Sequence, residues 1–304
     1  MLQQNPLVTV LIDNYNYEQY LSCAIDSALG QTYQSVEVIV VDDGSKDNSR
    51  AVIESYGDRI KSVFKVNGGQ GSAFNAGLPE ITGEIVCLLD ADDVFVPDKL
   101  EKVVSLFQSM PEVDWVFHAL QDVNAAGDPI EVSPDHGSFE TQVLDLRGMI
   151  RQGQELPYLP PTSALCFRRS ILQQILPMPE ALRISSDNFL CLSAAFLGKG
   201  YLYGQALSQY RIHGKISMLS GRIRGCSMGK RTFARPTTCA SGFLRQHPLR
   251  IAASPMLWVK LVAERACIGS SKFLSRNITL TSSSLVGLGW TVRLVCWSII
   301  LEAV

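Results

Sequence analysis

Ile85-Val86-Cys87-Leu88-Leu89-Asp90-Ala91-Asp92-Asp93 is the stretch whose reading decides the fold of this chain. Its uninterrupted apolar run has the character of a strand buried on both faces, as in a parallel sheet covered by helices. The carboxylates then emerge at the carboxyl end of that strand, the edge at which open α/β sheets take their ligands. Carboxylates two apart can converge on one hard divalent cation, which draws its remaining oxygens from water and substrate phosphates. The local sequence leaves one bland alternative open: a solvated acidic turn, or a cap for the helix starting near Pro97.

Working upstream, the same alternation repeats. Val8 to Ile12 reads as a first strand, followed by the loop Asn14-Tyr15-Asn16-Tyr17 and a helix over about Glu18 to Leu29. Val36 to Val41 reads as a second strand, ending in Asp42-Asp43-Gly44-Ser45, with Ser45 or Asp47 as cap of a helix to about Tyr56. A third strand near Ile60 to Val66 leads into Asn67-Gly68-Gly69-Gln70-Gly71 and a helix to about Pro79. Strand and helix in alternation predict an α/β fold: a mostly parallel sheet with helices on both faces. Three strand ends, at Tyr15-Asn16, Asp42-Asp43 and Asp90-Ala91-Asp92, then share one edge and can converge on a single ligand.

Downstream, a helix to about Met110, a strand from Trp115 to Leu120 and a turn at residues 124–129 are expected. Regularity then weakens around prolines 157, 160, 161, 177 and 179, and irregular segments beside an α/β core often form a binding surface. A helix from about Asp187 to Leu197 and a strand near Tyr201 to Leu207 complete the domain.

At 304 residues and 46% hydrophobic content, the chain has room for one large α/β domain plus an appendage. Eight scattered cysteines without a Cys-x-x-Cys pair read as reduced thiols. The start, Met1 to Pro6, has neither a basic region nor a long apolar run, so the catalytic part is expected in the cytoplasm. The net charge of −2 hides a division: residues 205–304 carry +12 and residues 1–204 carry −14.

Val8-Thr9-Val10-Leu11-Ile12 through Tyr15-Asn16, Ser27-Ala28-Leu29-Gly30-Gln31-Thr32, Val40-Val41-Asp42-Asp43-Gly44-Ser45, Asn67-Gly68-Gly69, Asn75-Ala76-Gly77 and Leu89-Asp90-Ala91-Asp92-Asp93 resemble the motifs of family 2 glycosyltransferases with the GT-A fold, over roughly residues 6 to 217. The resemblance implies a nucleotide-sugar donor, with UDP as the nucleotide and Mn2+ or Mg2+ as cofactor. By it, Tyr15 with Asn16 lies against the base, Asp42 accepts a hydrogen bond from the base, and Asp90 and Ala91 sit near the ribose. Asn67 and Gly71 are further donor contacts, and Asp92 ligates the metal. The segment from Tyr210 to Ser217 resembles the one that closes over the diphosphate: Arg211 and Lys215 offer charge to phosphate, and His213 completes the metal shell. Asp187 falls where the family places the general base, and attack on the face opposite the diphosphate would invert configuration. An Asp in the first turn of a helix also stabilises the helix dipole, which is the structural alternative for Asp187. Three positions depart from the family pattern: Asp13 where proline is common, Phe74 where many relatives have a basic residue, and Ser186 in place of the first acid of a pair. They bear on donor identity more than on reaction class.

The expected organisation is a GT-A domain over residues 1–217 and a basic, apolar-ended, mainly helical extension over 218–304. Arg222, Arg224, Lys230, Arg231 and Arg235 suit an anionic membrane surface, and the apolar Leu285 to Leu301 suits membrane attachment or a homo-oligomer surface. Nucleic acid is not expected as a partner, because no aromatic interleaving accompanies the basic run. The expected activity is metal-dependent, inverting sugar transfer to a glycan or lipid-linked acceptor in surface polysaccharide assembly, at the inner face of the cell membrane. A nucleotidyltransferase and a non-catalytic nucleotide-sugar-binding protein stand as the other readings.

Overall fold

The computed structural model describes residues 2–133, 136, 140–152, 156–157, 159–182 and 186–213. Lys215, the basic run from Arg222 to Arg235 and the segment Leu285 to Leu301 lie outside the described residues. Along the chain run β1 (Val8–Asn14), α1 (Glu18–Leu29), β2 (Val36–Asp42), α2 (Ser49–Ser55), β3 (Lys61–Phe64), α3 (Gln70–Gly77), β4 (Ile85–Asp90), β5 (Val94–Phe95), α4 (Lys99–Ser109), β6 (Trp115–Val123), β7 (Gln142–Leu144), α5 (Arg147–Gln152), β8 (Leu165–Arg168), α6 (Arg169–Ile175), α7 (Ser186–Leu197) and β9 (Gly200–Arg211).

One mixed sheet has the order β3-β2-β1-β4-β8-β6-β9-β5, with β7 added alongside β9. Strands β3, β2, β1 and β4 pair in parallel. Strand β8 is antiparallel to both β4 and β6, so β6 regains the direction of β4, and β9 pairs parallel to β6. The carboxyl ends of β1, β2, β4, β6 and β9 therefore share one rim. The chain winds outward from β1 to β3 and returns to the other side of β1 as β4. The gap between β1 and β4 is thus the topological switch point where such sheets bind ligands.

Alternation along the strands splits the core into two layers. Val8, Val10 and Ile12, Val38 and Val40, and Ile85, Cys87 and Leu89 face one layer, against Leu21, Ala24 and Ile25 of α1, Ile53 of α2 and Val103 and Phe107 of α4. Leu11, Ile39, Val41, Val86 and Leu88 face the other, against Phe74 of α3, Ile171 and Ile175 of α6 and Leu190 and Ala194 of α7. The apolar run of β4 is thus buried on both faces, each large side chain contributing roughly 1.5–3 kcal/mol of burial. Helix α1 forms because Leu21, Ala24, Ile25 and Ala28 fall on one face, and it stops at Gly30.

The same alternation continues past the core and sorts the rim. Asn14 and Asp42 follow the α1 layer; Asp13 and Asp90 follow the α3 and α7 layer.

Candidate active site

On the α1 side, the rim is braced by its own side chains. Asn14 Nδ2 donates to Asp42 Oδ1 at 2.8 Å, and Ser45 N donates to Asp42 Oδ2 at 3.0 Å. Asn16 adopts a left-handed backbone (φ 60°), which asparagine tolerates better than most residues. From there its N–H donates to Ser45 Oγ at 2.9 Å while its Oδ1 accepts from Lys46 N at 2.7 Å. The loops after β1 and β2 are thereby fastened to each other. Tyr15 stands out of this brace with 39% of its surface exposed, an aromatic face open at the rim.

The next brace centres on Asp43, only 3% exposed. It pairs with Lys65 Nζ at 2.5 Å and accepts from Asn67 Nδ2 at 3.0 Å, Gly68 N at 2.9 Å and Gly69 N at 2.7 Å. Gly69, with φ 88°, lets the loop turn into α3. Gly71 is closely packed: a Cβ there would stand 2.5 Å from Met178 Sδ and 3.1 Å from Leu182 O. It is Gln70 that reaches the rim, donating from Nε2 to Asp90 Oδ1 at 2.9 Å and to Thr162 Oγ1 at 3.3 Å.

At the switch point, Asp13 and Asp90 are register partners on β1 and β4. Their carboxyls stand close enough to act on each other's protonation. Burial, followed by the neighbouring charges of Asp13, Asp93 and Asp92, pushes Asp90 well above the ordinary carboxylate range. Burial likewise pushes Asp13 up to about 7, with the charge of Asp92 adding to it and the bonds from Asp90 and Gln70 opposing it. Asp93 is raised by burial and by Asp92. Ala91 packs inward at 2% exposure, which turns Asp90 and Asp92 outward on either side of it.

Ligand atoms of Asp90, Asp92 and Asp93 lie within 4.8 Å of one another. His213, far away in sequence, brings Nε2 to 2.9 Å from Asp92 Oδ2. Its ring is fixed by an edge contact to Tyr17 at 5.6 Å and a tilted contact to Tyr20 at 4.9 Å. Carboxylate oxygens suit Mn2+ or Mg2+, and neighbouring ligands of an octahedral ion bound at about 2.1 Å stand about 3 Å apart, the Asp92 to His213 separation. Asp93 Oδ2 is buried with no hydrogen-bond partner among the described residues. The residues present fit the ion.

Arg211 lies beneath this cluster rather than over it. Its N–H donates to Asp93 Oδ1 at 2.8 Å, Nε to Asp92 O at 2.8 Å, and a terminal nitrogen to Ala125 O at 3.0 Å, with the guanidinium 4.9 Å over the Tyr20 ring. At 5% exposure it clamps the acidic turn to the end of β6. Asp187 sits in the first turn of α7 and accepts from Asn188 N at 2.7 Å. Tyr210 links it to the cluster: burial, then the charges of Asp93, Asp90, Asp92 and Asp187, raise its phenol well above the ordinary value. Tyr17 is raised in the same way by burial and by Asp92, Asp90, Asp13 and Asp93.

Sequence reasoning thus placed Tyr15, Asp42, Asp90, Asp92 and His213 on one rim. It passed over Asp93, Gln70, Tyr17 and Tyr210, and treated Asp13 only as a departure. The parallel pairing of β1 with β4 carried the missing signal for Asp13, since it sets the residue beside Asp90.

The sequence profile of glycosyl transferase family 2 matches residues 9–176. An uncharacterized glycosyltransferase of Nostoc sp. (strain PCC 7120) is 42% identical over 218 residues, which are 70% of this chain and 67% of that protein. An uncharacterized glycosyltransferase of Rickettsia prowazekii is also 42% identical, over 38% of this chain and 36% of its own length. The chondroitin synthase of Pasteurella multocida is 37% identical over 46% of this chain and 15% of its own length. Among solved structures, S. aureus TarS in complex with UDP superposes with a TM-score of 0.55 at 22% identity, covering 68% of this chain and 60% of that one. Mannosyltransferase PcManGT from Pyrobaculum calidifontis, in complex with GDP-Man and Mn2+, gives 0.52 at 20% identity, covering 70% and 59%. These likenesses show a shared GT-A fold. The chain belongs to glycosyl transferase family 2.

Among the described residues, no helix is long and apolar enough to cross a membrane.

Proposed function

We propose that this chain transfers a sugar from a UDP-sugar, with inversion and with the help of Mn2+ or Mg2+, to a glycan or lipid-linked acceptor. The observation that carries the reading is the meeting of Asp90, Asp92, Asp93 and His213 at the rim where β1, β2 and β4 end. Asp92 and His213 would hold the ion, with Asp93 behind them. What the ion supplies when bound is neutralisation of charge on the departing diphosphate, worth several kcal/mol.

The chain's own residues do the rest. Tyr15 offers its exposed face to the base, and Asp42, prefixed by Asn14 and Ser45, presents a carboxylate to the base edge. Asp90 and Gln70 face the ribose side of the switch point. Arg211 and the Tyr17 and Tyr20 rings hold the acidic turn and His213 in place, so little reorganisation is needed when donor binds. Asp187 takes the proton of the attacking hydroxyl, which meets the anomeric carbon on the face opposite the diphosphate and so inverts its configuration. We place the reaction in surface polysaccharide assembly at the inner membrane face, supported by the basic excess of residues 205–304 and the kind of relatives found.

A nucleoside diphosphate release assay over a panel of UDP- and GDP-sugars tests the reading. Release that needs Mn2+ or Mg2+ and favours one UDP-sugar is expected. Release that is indifferent to chelator, or found with no donor, contradicts it.

A further inference from the structure

Beyond the donor half of the rim, β6 ends beside β9 with Asp122 and Tyr210 as register partners. Asp122 is fully buried, an uncommon place for a carboxylate without a paired or hydrogen-bonded partner. After the turn at Asn124 to Gly127 the chain doubles back along the end of β6, Ile130 N donating to Asp122 O at 3.0 Å. Asp122 then collects two partners from the returning segment. Ser133 N donates to Oδ2 at 2.8 Å, and His136 Nδ1 meets Oδ1 at 2.6 Å. The backbone agrees with this geometry, since His136 N donates to Ser133 O at 2.8 Å.

A carboxylate only accepts, so the Nδ1 of His136 carries the proton of that bond and, in the neutral ring, Nε2 on the far edge is an acceptor. The side chain keeps 16% exposure, so ligand can reach it. Its ring packs at 4.7 Å from the Tyr210 ring. Tyr210 in turn lies within the field of Asp90, Asp92, Asp93 and Asp187, so His136 adjoins the space between the acidic cluster and the expected base. An acceptor hydroxyl has to enter that space. An oriented hydrogen-bonding edge beside an aromatic face is the pairing that a sugar ring, polar at its rim and apolar on its face, requires.

We propose that His136, oriented by Asp122, binds the acceptor saccharide: Nε2 takes a sugar hydroxyl and the Tyr210 ring takes the sugar face. The proposal rests on the glycosyltransferase reading and extends it to the second substrate. Asp122 is a positioning residue and His136 the one that touches the acceptor.

The chain has four histidines, so 15N-histidine labelling of the full chain resolves each ring, with His136 assigned by its loss in His136→Gln. Methyl glycosides of glucose, galactose and N-acetylglucosamine serve as probes, added in the presence of UDP and Mg2+. Saturable movement of the His136 ring resonances with at least one glycoside is expected. His136→Ala and Asp122→Asn should each weaken that glycoside by about tenfold, the worth of one oriented hydrogen bond, in saturation-transfer NMR. A His136 ring that no glycoside moves, or a glycoside affinity in both variants equal to that of the unaltered chain, overturns the proposal. UDP with Mg2+ alone should move His213 and leave His136 in place, so a failure of the donor reading shows at a different residue.

Discussion

His213 Nε2 stands 2.9 Å from Asp92 Oδ2, joining the last described residue of the chain to the acidic turn after β4. The contact is held from both sides, by the Tyr17 and Tyr20 rings around the imidazole and by Arg211 on the Asp92 carbonyl. Loss of His213 should therefore loosen the ion without unfolding the rim. His213→Ala is expected to weaken Mn2+ binding by roughly 10–100-fold, read by calorimetry in the presence of UDP, with an unchanged far-ultraviolet spectrum. Unaltered Mn2+ affinity would show that the imidazole only packs.

Asp187 is the group expected to take the acceptor proton. Asp187→Asn should lower kcat by roughly 10²–10⁴-fold and leave UDP affinity as it is, because proton transfer and donor binding use different parts of the rim. Steady-state kinetics beside UDP titration separates the two, and a variant that retains kcat assigns Asp187 to helix capping alone.

The paired carboxyls of Asp13 and Asp90 make stability depend on pH. Asp13 is raised from an ordinary 3.8 to about 7, so between those values the folded chain holds a proton that the unfolded chain has released. The Asp13 contribution to stability therefore falls as pH rises from about 4 to about 7 and is constant above. Asp13→Asn removes the term, so its Tm advantage over the unaltered chain should grow across that window and then stay constant. A Tm difference independent of pH contradicts the shared-proton arrangement.

Asp43 anchors the turn into α3 through Lys65, Asn67 and the N–H groups of Gly68 and Gly69. Asp43→Ala leaves those donors without their acceptor and should cost about 3 kcal/mol in urea unfolding. A cost below about 1 kcal/mol, the range of an exposed ion pair, would mean that the turn stands without it.

The half of the candidate site formed by β1, β2 and β4 was legible because its signals are local. An apolar run such as Ile85 to Leu89 announces a strand buried on both faces, and Asp90 to Asp93 announces where it reaches the rim. Helix α1 came out with the bounds expected, since its apolar spacing and Gly30 agree. Strand β8 was missed, although it lies in the middle of the sheet. Its four residues, Leu165–Arg168, follow three prolines within ten positions, too short a run for periodicity to register. Partners across long separations were equally hidden: Asp122 with His136, Arg211 with Ala125 and Gln70 with Asp90 depend on how loops return over the rim, which spacing does not encode. The aromatic neighbours followed the same logic. Tyr15 was chosen for its place in the motif, whereas Tyr17, two residues further, and Tyr20 are the rings that lie against His213.

The central claim is that the acidic turn after β4 holds a divalent cation bridging to a nucleoside diphosphate. Thermal unfolding of the intact chain with UDP, with Mn2+ and with both, repeated on Asp92→Ala, tests it most directly. The account predicts a rise in Tm with UDP and Mn2+ together that exceeds the sum of their separate effects and vanishes in the variant. A rise of equal size in Asp92→Ala, or the same rise with UDP when Mn2+ is withheld by chelator, would contradict it.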